Sequence, residues 1–329
     1  MLSRPLALLA ALLLSVLVAP APAQAAEGEA SWAIRTASNT YGDARQNFSY
    51  TLNPGATVED ALVVHNDGTE PITLAVYAAD GFTTTDGQLD LLRTDQESHG
   101  VGVWVTAGRS TVKIKPGREK QVPFALAVPD NATPGDHLGG IVTSLTSEAN
   151  DAGIAVDRRL AMRIRVRVSG ELAPQLTVED PHVDYDGTAN PLGTGEATVE
   201  YTIHNTGNAI LAARQEVRVT GPFGWAGRDA PDLPDTPELL PGERWTVSVP
   251  VDGVPPLVRL SAQVRLVPLL NDAAGSTSTL DAVEETGHGW AVPWTLLLVV
   301  VLVGGGGTGL VVRDRRLRAA VRETASASA

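Results

Sequence analysis

Short runs of alternating apolar and polar residues fill the chain between Ser31 and Pro268. In the clearest run, RLAMRIRVRVSG, arginines separate the apolar residues Leu160, Met162, Ile164, Val166 and Val168. The run LVRLSAQVRLV has the same alternation, with the apolar residues Val258, Leu260, Ala262, Val264 and Leu266. A period of two residues is typical of a half-buried β-strand, and Gly, Pro, Asn and Asp separate the runs as turns do. We therefore predict an all-β fold built from immunoglobulin-like β-sandwiches.

One strand-turn-strand pattern occurs twice in the chain. LVVHNDGTEPITL, residues 62–74, is echoed by YTIHNTGNAIL, residues 201–211. Each copy is followed by a Pro-Gly turn, a charged pair, an alternating strand and a proline. A unit that is reused in two domains carries the same turn chemistry in each. We predict two tandem sandwiches, 31–170 and 171–268, with the boundary near Gly170 to Pro174.

The repeated His-Asn pair is interpreted as a turn rather than as a site. The Asn side chain can hydrogen-bond the backbone two residues on, and the following Gly tolerates positive φ, which together make a tight turn. His65 and His204 stand at the strand ends without His, Cys or carboxylate at ligand spacing. We expect turn-capping or solvated histidines, and not metal ligands.

Two apolar segments lie near the ends of the chain. Residues 1–25 combine one arginine, an apolar run and a small-residue exit, which is typical of a secretory signal peptide. Residues 290–312 carry no charge and are long enough to cross a bilayer as a helix. The arginine-rich tail, 313–329, predicts a cytoplasmic end, with the rest of the chain outside. The polar stretch 269–289 is predicted to be a stalk.

The charge and the cysteine content narrow the partners and the compartment. The formal net charge is −13, and the acidic excess lies in the predicted outer part, which nucleic acid and anionic lipid would repel. Nucleic-acid binding is therefore not expected. The chain has no cysteine, so a hydrophobic core must hold the domains together. A disulfide-free outer part of this size fits a bacterial surface better than an animal one.

Catalytic motifs occur only as fragments. Ser110-Thr-Val-Lys113 matches Ser-x-x-Lys, but the Lys-Thr-Gly element of penicillin-binding enzymes is missing. GGGGTG, residues 304–309, lacks the Lys-Ser/Thr of a P-loop and lies in the predicted span. We expect no catalytic residue, no metal and no cofactor, and hence a binding protein rather than an enzyme.

The strongest candidates for ligand contact are Arg163, Arg165 and Arg167, on the polar side of one predicted strand. Guanidinium groups on an exposed strand can bind the carboxylates or phosphates of a cell-wall polymer. The alternative is pairing across the sheet with Asp and Glu of this acidic protein itself.

Three further residues are candidates for a binding surface. Asp136 and His137 precede Gly139-Gly140, where a bulge or a close backbone approach is expected. Their loop either lines a groove or simply leads into a strand. Trp104 alternates with its two valine neighbours and is expected to face opposite to them. It either fills the core or offers a platform on which a sugar stacks.

The order of the motifs in the first half points to a known family. Pro-Gly, Asn-x-Gly, Asp86-Gly87, Trp-Val, a second Pro-Gly and Gly-Gly-Ile follow one another in residues 31–170. This order resembles the peptidoglycan-binding domain of the WxL-interacting proteins, whose members share a signal peptide, two β domains, one span and a short basic tail. The resemblance implies that the first domain binds peptidoglycan. It also implies that the second domain contacts another protein, typically a WxL surface protein or a host component.

We therefore expect a single-pass protein of the cell membrane, with both β domains outside and the tail in the cytoplasm. The first domain is expected to bind peptidoglycan non-covalently and the second to present a surface to a protein partner. The alternative is a protein-only interaction module, or an assembly chaperone of a membrane complex, that does not bind glycan.

Overall fold

The computed structural model describes residues 30–146, 156–187, 190, 193–271 and 276–326. The predicted signal peptide lies outside these residues. Strands dominate the described chain, and the predicted all-β fold is confirmed: two immunoglobulin-like β-sandwiches are followed by one apolar C-terminal helix.

The first sandwich consists of two facing sheets. Its strands are β1 (Trp32–Thr36), β2 (Phe48–Leu52), β3 (Thr57–Asn66), β4 (Ile72–Thr83), β5 (Leu89–Leu91), β6 (Val105–Ala107), β7 (Thr111–Ile114), β8 (Glu119–Ala127), β9 (Gly135–Thr146) and β10 (Asp157–Val168), and a short helix, α1 (Val101–Trp104), precedes β6. One sheet has the order β1-β3-β8-β6, and the other has the order β2-β10-β9-β4-β5 with β7 also paired to β4. The β2–β10 pair is parallel and the other pairs are antiparallel.

The core of this sandwich lies between the two sheets. Phe48, Leu62, Ile114, Phe124 and Ile141 are among its buried members. The predicted inward face of β10 is confirmed over its second half, where the apolar residues from position 164 to 168 are fully buried. Its first half differs from the prediction, because Leu160 lies where β10 extends past the core and is exposed.

The second sandwich is one continuous path of hydrogen-bonded strands that closes around its own core. Its strands are β11 (Leu176–Asp186), β12 (Gly195–Asn205), β13 (Leu211–Thr220), β14 (Arg228–Asp229), β15 (Arg244–Val254), β16 (Val258–Asn271), β17 (Thr277–Thr279) and β18 (Val283–Ala291). The order is β14-β13-β16-β18-β11-β12-β15, with β17 paired to β16. The alternation predicted for β16 is present from Leu260 to Leu266, whereas Val258 is exposed at the strand end. The predicted boundary, Gly170 to Pro174, lies between β10 and β11.

The segment predicted as a polar stalk is instead part of this sheet. β18 pairs antiparallel with β16 over Val283–Ala291 and touches β11 in parallel. Gly287 and Gly289, which made the segment look like a linker, let the backbone of β11 approach closely, since a Cβ at either position would collide with it. The described part of 269–289 therefore contributes strands to the second domain.

The repeated His-Asn turn is present in both sandwiches with matching hydrogen bonds. Asn66 is fully buried, donates to the carbonyls of Glu70 and Ile114 at 2.8 and 3.1 Å, and accepts from the Gly68 amide at 2.9 Å. Asn205 is also fully buried; it donates to Ala209 and Leu239 at 2.8 Å each and accepts from Gly207 at 3.1 Å. We call these two units the asparagine corners.

The glycine of each asparagine corner serves close packing and not positive φ, contrary to the prediction. Gly68 and Gly207 do not have positive φ. A Cβ on Gly207 would meet the backbone of Ala173 and Gln175, where the chain enters β11. Positive φ occurs instead in the later Pro-Gly turn of each domain, at Gly117 and Gly242. The amides of these two glycines donate to the backbone carbonyls of the two corner asparagines.

The C-terminal helix, α2 (Trp294–Ser326), begins three residues after β18 ends. Its segment Trp294–Arg315 is long and apolar enough to cross a membrane, with a mean hydropathy of 2.3 and no part buried against the β domains. The helix starts later than the predicted residue 290, because Trp290 belongs to β18 and pairs with Arg259.

Candidate functional site: a groove between the two domains

The two sandwiches meet through an apolar cluster and a set of polar contacts. Leu138 of the first domain packs with Ile210 and Leu240 of the second. At the tip of the β4–β5 hairpin, the Thr83 amide donates to Glu243 Oε1 at 2.8 Å. On the same hairpin, the carbonyl of Thr85 accepts from Trp245 Nε1 at 3.1 Å.

A groove of about 450 Å³ runs along this junction. Strands β2, β9 and β10 form its first-domain wall, and residues Glu238, Asn271 and Thr277 line it from the second domain. A volume of this size is in the range of small-ligand sites. The predicted arginine stripe lies in this wall, because the polar face of β10 points away from the sandwich core and toward the second domain.

Arg167 is paired with Asp136. The two residues are register partners on β10 and β9, and Arg167 Nε and Nη2 donate to the Asp136 carboxylate at 2.6 and 2.8 Å. Asp136 is buried, and its Oδ2 also accepts the Ile210 amide at 3.0 Å, so its carboxylate bridges both domains. Arg167 therefore follows the alternative interpretation of the stripe, pairing within the protein, and Asp136 serves the domain junction.

Arg165 is held by the second domain. Its Nη2 lies 3.0 Å from Glu238 Oε2, and Glu238 Oε1 accepts from Asn271 Nδ2 at 3.2 Å. Both partners of the Arg165–Glu238 pair are about a quarter exposed, so the pair sits in the groove but remains accessible to water.

Arg163 is the arginine of the stripe that remains open to a ligand. It is exposed in the groove wall and forms no ion pair with any residue that the structure describes. Its register partner on β9 is Gly140, which has no side chain to offer. The guanidinium group of Arg163 is therefore available to an anionic ligand, with Arg165 two positions along the strand.

His137 and Trp104 lie on the other side of β9, away from the groove. Their ring centroids are 4.7 Å apart, and His137 Nε2 is 2.9 Å from the Thr133 carbonyl. Trp104 is buried in the core, in agreement with the prediction that it fills the core and not with a platform on which a sugar stacks. The expected alternation is wrong here, because α1 interrupts the strand and both Trp104 and Val105 are buried while Val103 is exposed.

The predicted close approach at Gly139-Gly140 is present, in the middle of β9 rather than at its start. A Cβ on Gly139 would lie 2.7 Å from the Ala79 carbonyl oxygen and from Val101 Cβ. The register of β9 with β4 and β10 shows no shift at this point. The glycines therefore allow α1 and β4 to pack on the strand, and no bulge is needed.

The histidines of the two corners have carboxylate neighbours. His65 Nε2 lies 3.3 Å from Asp67 on the surface, and His204 Nδ1 lies 2.6 Å from Glu179 Oε1. Glu179 also accepts from Arg244 Nε at 3.1 Å, and hydrogen bonds from His204 and Arg244 hold the pKa of Glu179 below its usual value. No group of three or more His, Cys, Asp or Glu suited to a metal occurs in the residues described.

Sequence reasoning missed the second-domain side of the groove. Glu238 lies in a proline-rich loop, and Asn271 and Thr277 lie within the segment 269–289 that the sequence pattern predicts to be a stalk. No local pattern marks these residues, because they reach the arginines only when the two domains pack together.

The structure is thus that of a two-domain β-sandwich protein joined to a helix suited to a membrane. A family model described as WxL Interacting Protein, peptidoglycan binding domain, matches residues 33–144. The resemblance stated for the first domain is thus confirmed, and the matched family consists of binding domains. The match spans most of the first sandwich and ends within β9, before the arginine stripe begins.

Solved structures to which this chain is similar include several chaperones. The class 5 fimbriae chaperone CfaA is 10% identical, with a TM-score of 0.37, over 78% of this chain and 99% of that one. The Pseudomonas aeruginosa CupB2 chaperone is 12% identical, with a TM-score of 0.32, over 72% and 97% of the two chains. The E. coli chaperone DraB is 10% identical, with a TM-score of 0.33, over 78% and 98%. A comparison with curated proteins finds no match.

Proposed function

We propose that this chain is a membrane-anchored surface protein whose first domain binds peptidoglycan non-covalently. The match of residues 33–144 to a peptidoglycan-binding domain carries the proposal. The apolar helix α2 supplies the anchor, with the β domains outside and the arginine-rich tail in the cytoplasm. A tethered binding module of this kind holds its ligand without chemical turnover.

The contact with the polymer is assigned to the groove between the domains. The peptide stems of peptidoglycan carry carboxylates, which suit the planar fork of an arginine. Arg163 is exposed and open, and Arg165 adds a second positive charge that its pair with Glu238 partly compensates. The predicted sites Asp136 and Arg167 support this wall, while His137 and Trp104 stabilise β9 from behind.

The second domain is proposed to present its outer face to a protein partner. A recess of about 640 Å³ lies on β13 and β16, with charges of both signs along it. Arg265 lies 3.2 Å from Glu216 and 3.3 Å from Glu284, and all three side chains are about half exposed. Exposed pairs of this kind contribute little to stability, so they are free to exchange partners with another charged surface.

Wall binding is tested by sedimentation of a soluble fragment with insoluble cell wall. The fragment runs from residue 27 to 292, because a fragment that ends at Asn271 would remove β18 and expose the core beneath it. We expect retention that weakens as salt rises, because the contact is ionic. No retention at low salt contradicts the proposal, and a stable co-purifying protein in its place favours the protein-only module.

The role of Arg163 is tested in the same assay. Arg163→Ala removes one charge-assisted contact, worth about 1.5–3 kcal/mol, and is expected to weaken retention by roughly tenfold or more. Arg163→Lys keeps the positive charge but loses the planar fork of the guanidinium group, so its retention should lie between that of wild type and that of Arg163→Ala. Arg109→Ala removes another exposed arginine, outside the groove, and should bind as wild type does. Equal retention of both alanine variants contradicts the groove assignment.

A further inference from the structure

The loop between β13 and β14, residues 221–227, exposes two aromatic side chains to solvent. Phe223 is 94% exposed and Trp225 is 70% exposed, and their ring centroids are 6.5 Å apart. Neither side chain contributes to the core of the second sandwich. Single exposed apolar residues are common on protein surfaces, whereas apolar residues that are exposed side by side indicate a contact surface.

The loop has a defined shape that keeps these side chains outside. The Gly221 amide donates to the Trp225 carbonyl at 2.8 Å, and the Gly224 amide donates back to the Gly221 carbonyl at 3.1 Å. Phe223 has φ 60° and ψ 20°, a left-handed conformation that is costly for a bulky residue. The backbone strain at Phe223 is therefore not offset by burial of its side chain within the domain.

The loop lies at the end of the domain from which α2 leaves. Thr220 at the end of β13 pairs with Ser261, near the start of β16. Val258 at the start of β16 pairs with Ala291, the last residue of β18. Gly221 packs directly against Leu257. Since neighbouring strands are about 4.8 Å apart, the loop lies roughly 10 Å to the side of the strand that continues into the helix.

Other exposed apolar residues share this end of the domain. Val258 is 51% exposed, and Trp290 and Trp294 are each more than 70% exposed. Trp294 is the first residue of α2, so the bilayer surface must lie close to it if α2 spans the membrane. Tryptophan is enriched at the headgroup level of a bilayer, and phenylalanine occurs on the apolar face of segments that lie in the interface.

We propose that Phe223 and Trp225 insert into the outer leaflet beside α2 and form a second membrane contact. This inference rests on the proposed membrane anchoring. It goes beyond that proposal because two separated contacts fix the tilt of the β domains above the membrane, where one flexible junction would not. The groove and Arg163 would then face the wall at a defined angle.

The lipid contact is assigned to the headgroup boundary and not to a charged lipid. Arg228 and Arg259 are exposed at this end, but Asp229 and Asp252 are exposed there as well. Asp186, at the end of β11, and Glu196, near the start of β12, are exposed at the same end. Negative charges therefore outnumber positive ones, and apolar insertion of the aromatic rings must provide the binding. Insertion into phosphatidylcholine vesicles should therefore not become stronger when phosphatidylglycerol is added.

The test uses the full-length chain in phosphatidylcholine vesicles. The chain has no native cysteine, so Phe223→Cys carries a single polarity-sensitive fluorophore without further changes. Nitroxide-labelled lipid should quench it to roughly half or less, as expected for a group at the boundary between headgroups and acyl chains. Leu298→Cys within α2 reports on the anchor, and Lys115→Cys on an exposed turn of the first domain reports on water.

A label-free measurement removes the concern that the fluorophore itself inserts. Brominated lipid quenches the fluorescence of nearby tryptophan. Trp225→Phe should therefore reduce the part of the tryptophan fluorescence that brominated lipid quenches. Trp245→Phe, at the domain junction, should reduce only the part that the lipid does not quench. If Leu298→Cys is quenched while Phe223→Cys behaves as Lys115→Cys does, the loop contact is overturned and the anchor stands. If Leu298→Cys is not quenched, the anchoring proposal fails, and the loop contact fails with it.

Discussion

At the scale of single residues, Asp60 is the most densely bonded carboxylate of the first domain. It is buried on β3 and accepts hydrogen bonds from Arg45, Tyr50 and Asn39 at 2.6 to 3.1 Å. Burial by itself raises the pKa of Asp60, but the hydrogen bonds from Arg45 and Tyr50 outweigh it and hold the pKa below its usual value. Burial and the hydrogen bond to Asp60 also raise the pKa of Tyr50.

This depressed pKa predicts a loss of stability in acid. The folded pKa of Asp60 lies below the unfolded value of about 3.9, so its contribution is complete above that value and is lost as pH falls through the folded pKa. Asp60→Asn should destabilise the domain at neutral pH by about 3–5 kcal/mol, because it leaves the Arg45 charge without a partner. It should also flatten the acid slope of the unfolding free energy.

Urea unfolding between pH 2 and pH 7 measures both effects. Asp43→Asn, an exposed carboxylate change, is the matched control and should keep the wild-type stability and slope. An unchanged acid slope in Asp60→Asn would show that other carboxylates govern the acid transition.

At the scale of elements, the asparagine corners explain why one sequence pattern appears twice. Each corner fastens a strand end to the Pro-Gly turn that follows later in its domain, since the backbone of Asn66 bonds Gly117 and that of Asn205 bonds Gly242. The turn itself is visible in the sequence, because Asn and Gly have recognisable turn chemistry. Its long-range partners, Ile114 and Leu239, are not visible, because they are 48 and 34 residues away.

We predict that either corner asparagine is needed for the stability of its own domain. Asn66→Ala or Asn205→Ala removes two donated hydrogen bonds and one accepted hydrogen bond at a fully buried position, at a cost of about 2–4 kcal/mol. Chemical denaturation of the full chain measures the loss, and Asn131→Ala, on an exposed turn, should change stability by less than about 0.5 kcal/mol. A loss as small as that of the control in both corner variants contradicts the structural role.

The strand β18 shows where element prediction from a local pattern fails. Its sequence, VEETGHGWA, lacks a clean apolar alternation and contains two glycines, and this local pattern favours a flexible stalk. In the fold the same glycines admit the backbone of β11, and the pairing with β16 provides the hydrogen bonds. The glycines are informative only when the neighbouring strand is known.

At the scale of the whole molecule, Asp136 links the two sandwiches. It accepts from Arg167 of its own domain and from the Ile210 amide of the second, and its backbone amide donates to Asn208 at 2.8 Å. The cluster of Leu138, Ile210 and Leu240 lies beside it. The groove keeps its shape only while this junction holds.

We therefore predict that Asp136→Ala uncouples the domains. The change removes both hydrogen bonds that Arg167 donates to the carboxylate and takes the acceptor from the Ile210 amide, at a cost of about 3–5 kcal/mol. Calorimetry of the variant should show separate transitions for the two domains and a lower first midpoint than wild type. Asp43→Ala, which changes an exposed carboxylate of the first domain, should leave the thermogram unchanged. A single unchanged transition in Asp136→Ala would mean that the apolar cluster alone holds the junction.

The sequence by itself determined the all-β class, the repeated turn, the inward faces of β10 and β16 and the apolar C-terminal helix, because each rests on local periodicity or turn chemistry. It also marked the arginine stripe and its two possible roles. Only the tertiary structure showed which arginines pair within the protein: Arg167 pairs with Asp136 and Arg165 with Glu238, whereas Arg163 forms no ion pair with any described residue. The reason is physical: a charge acquires its partners from residues far away in the chain, and the packing of two domains places them.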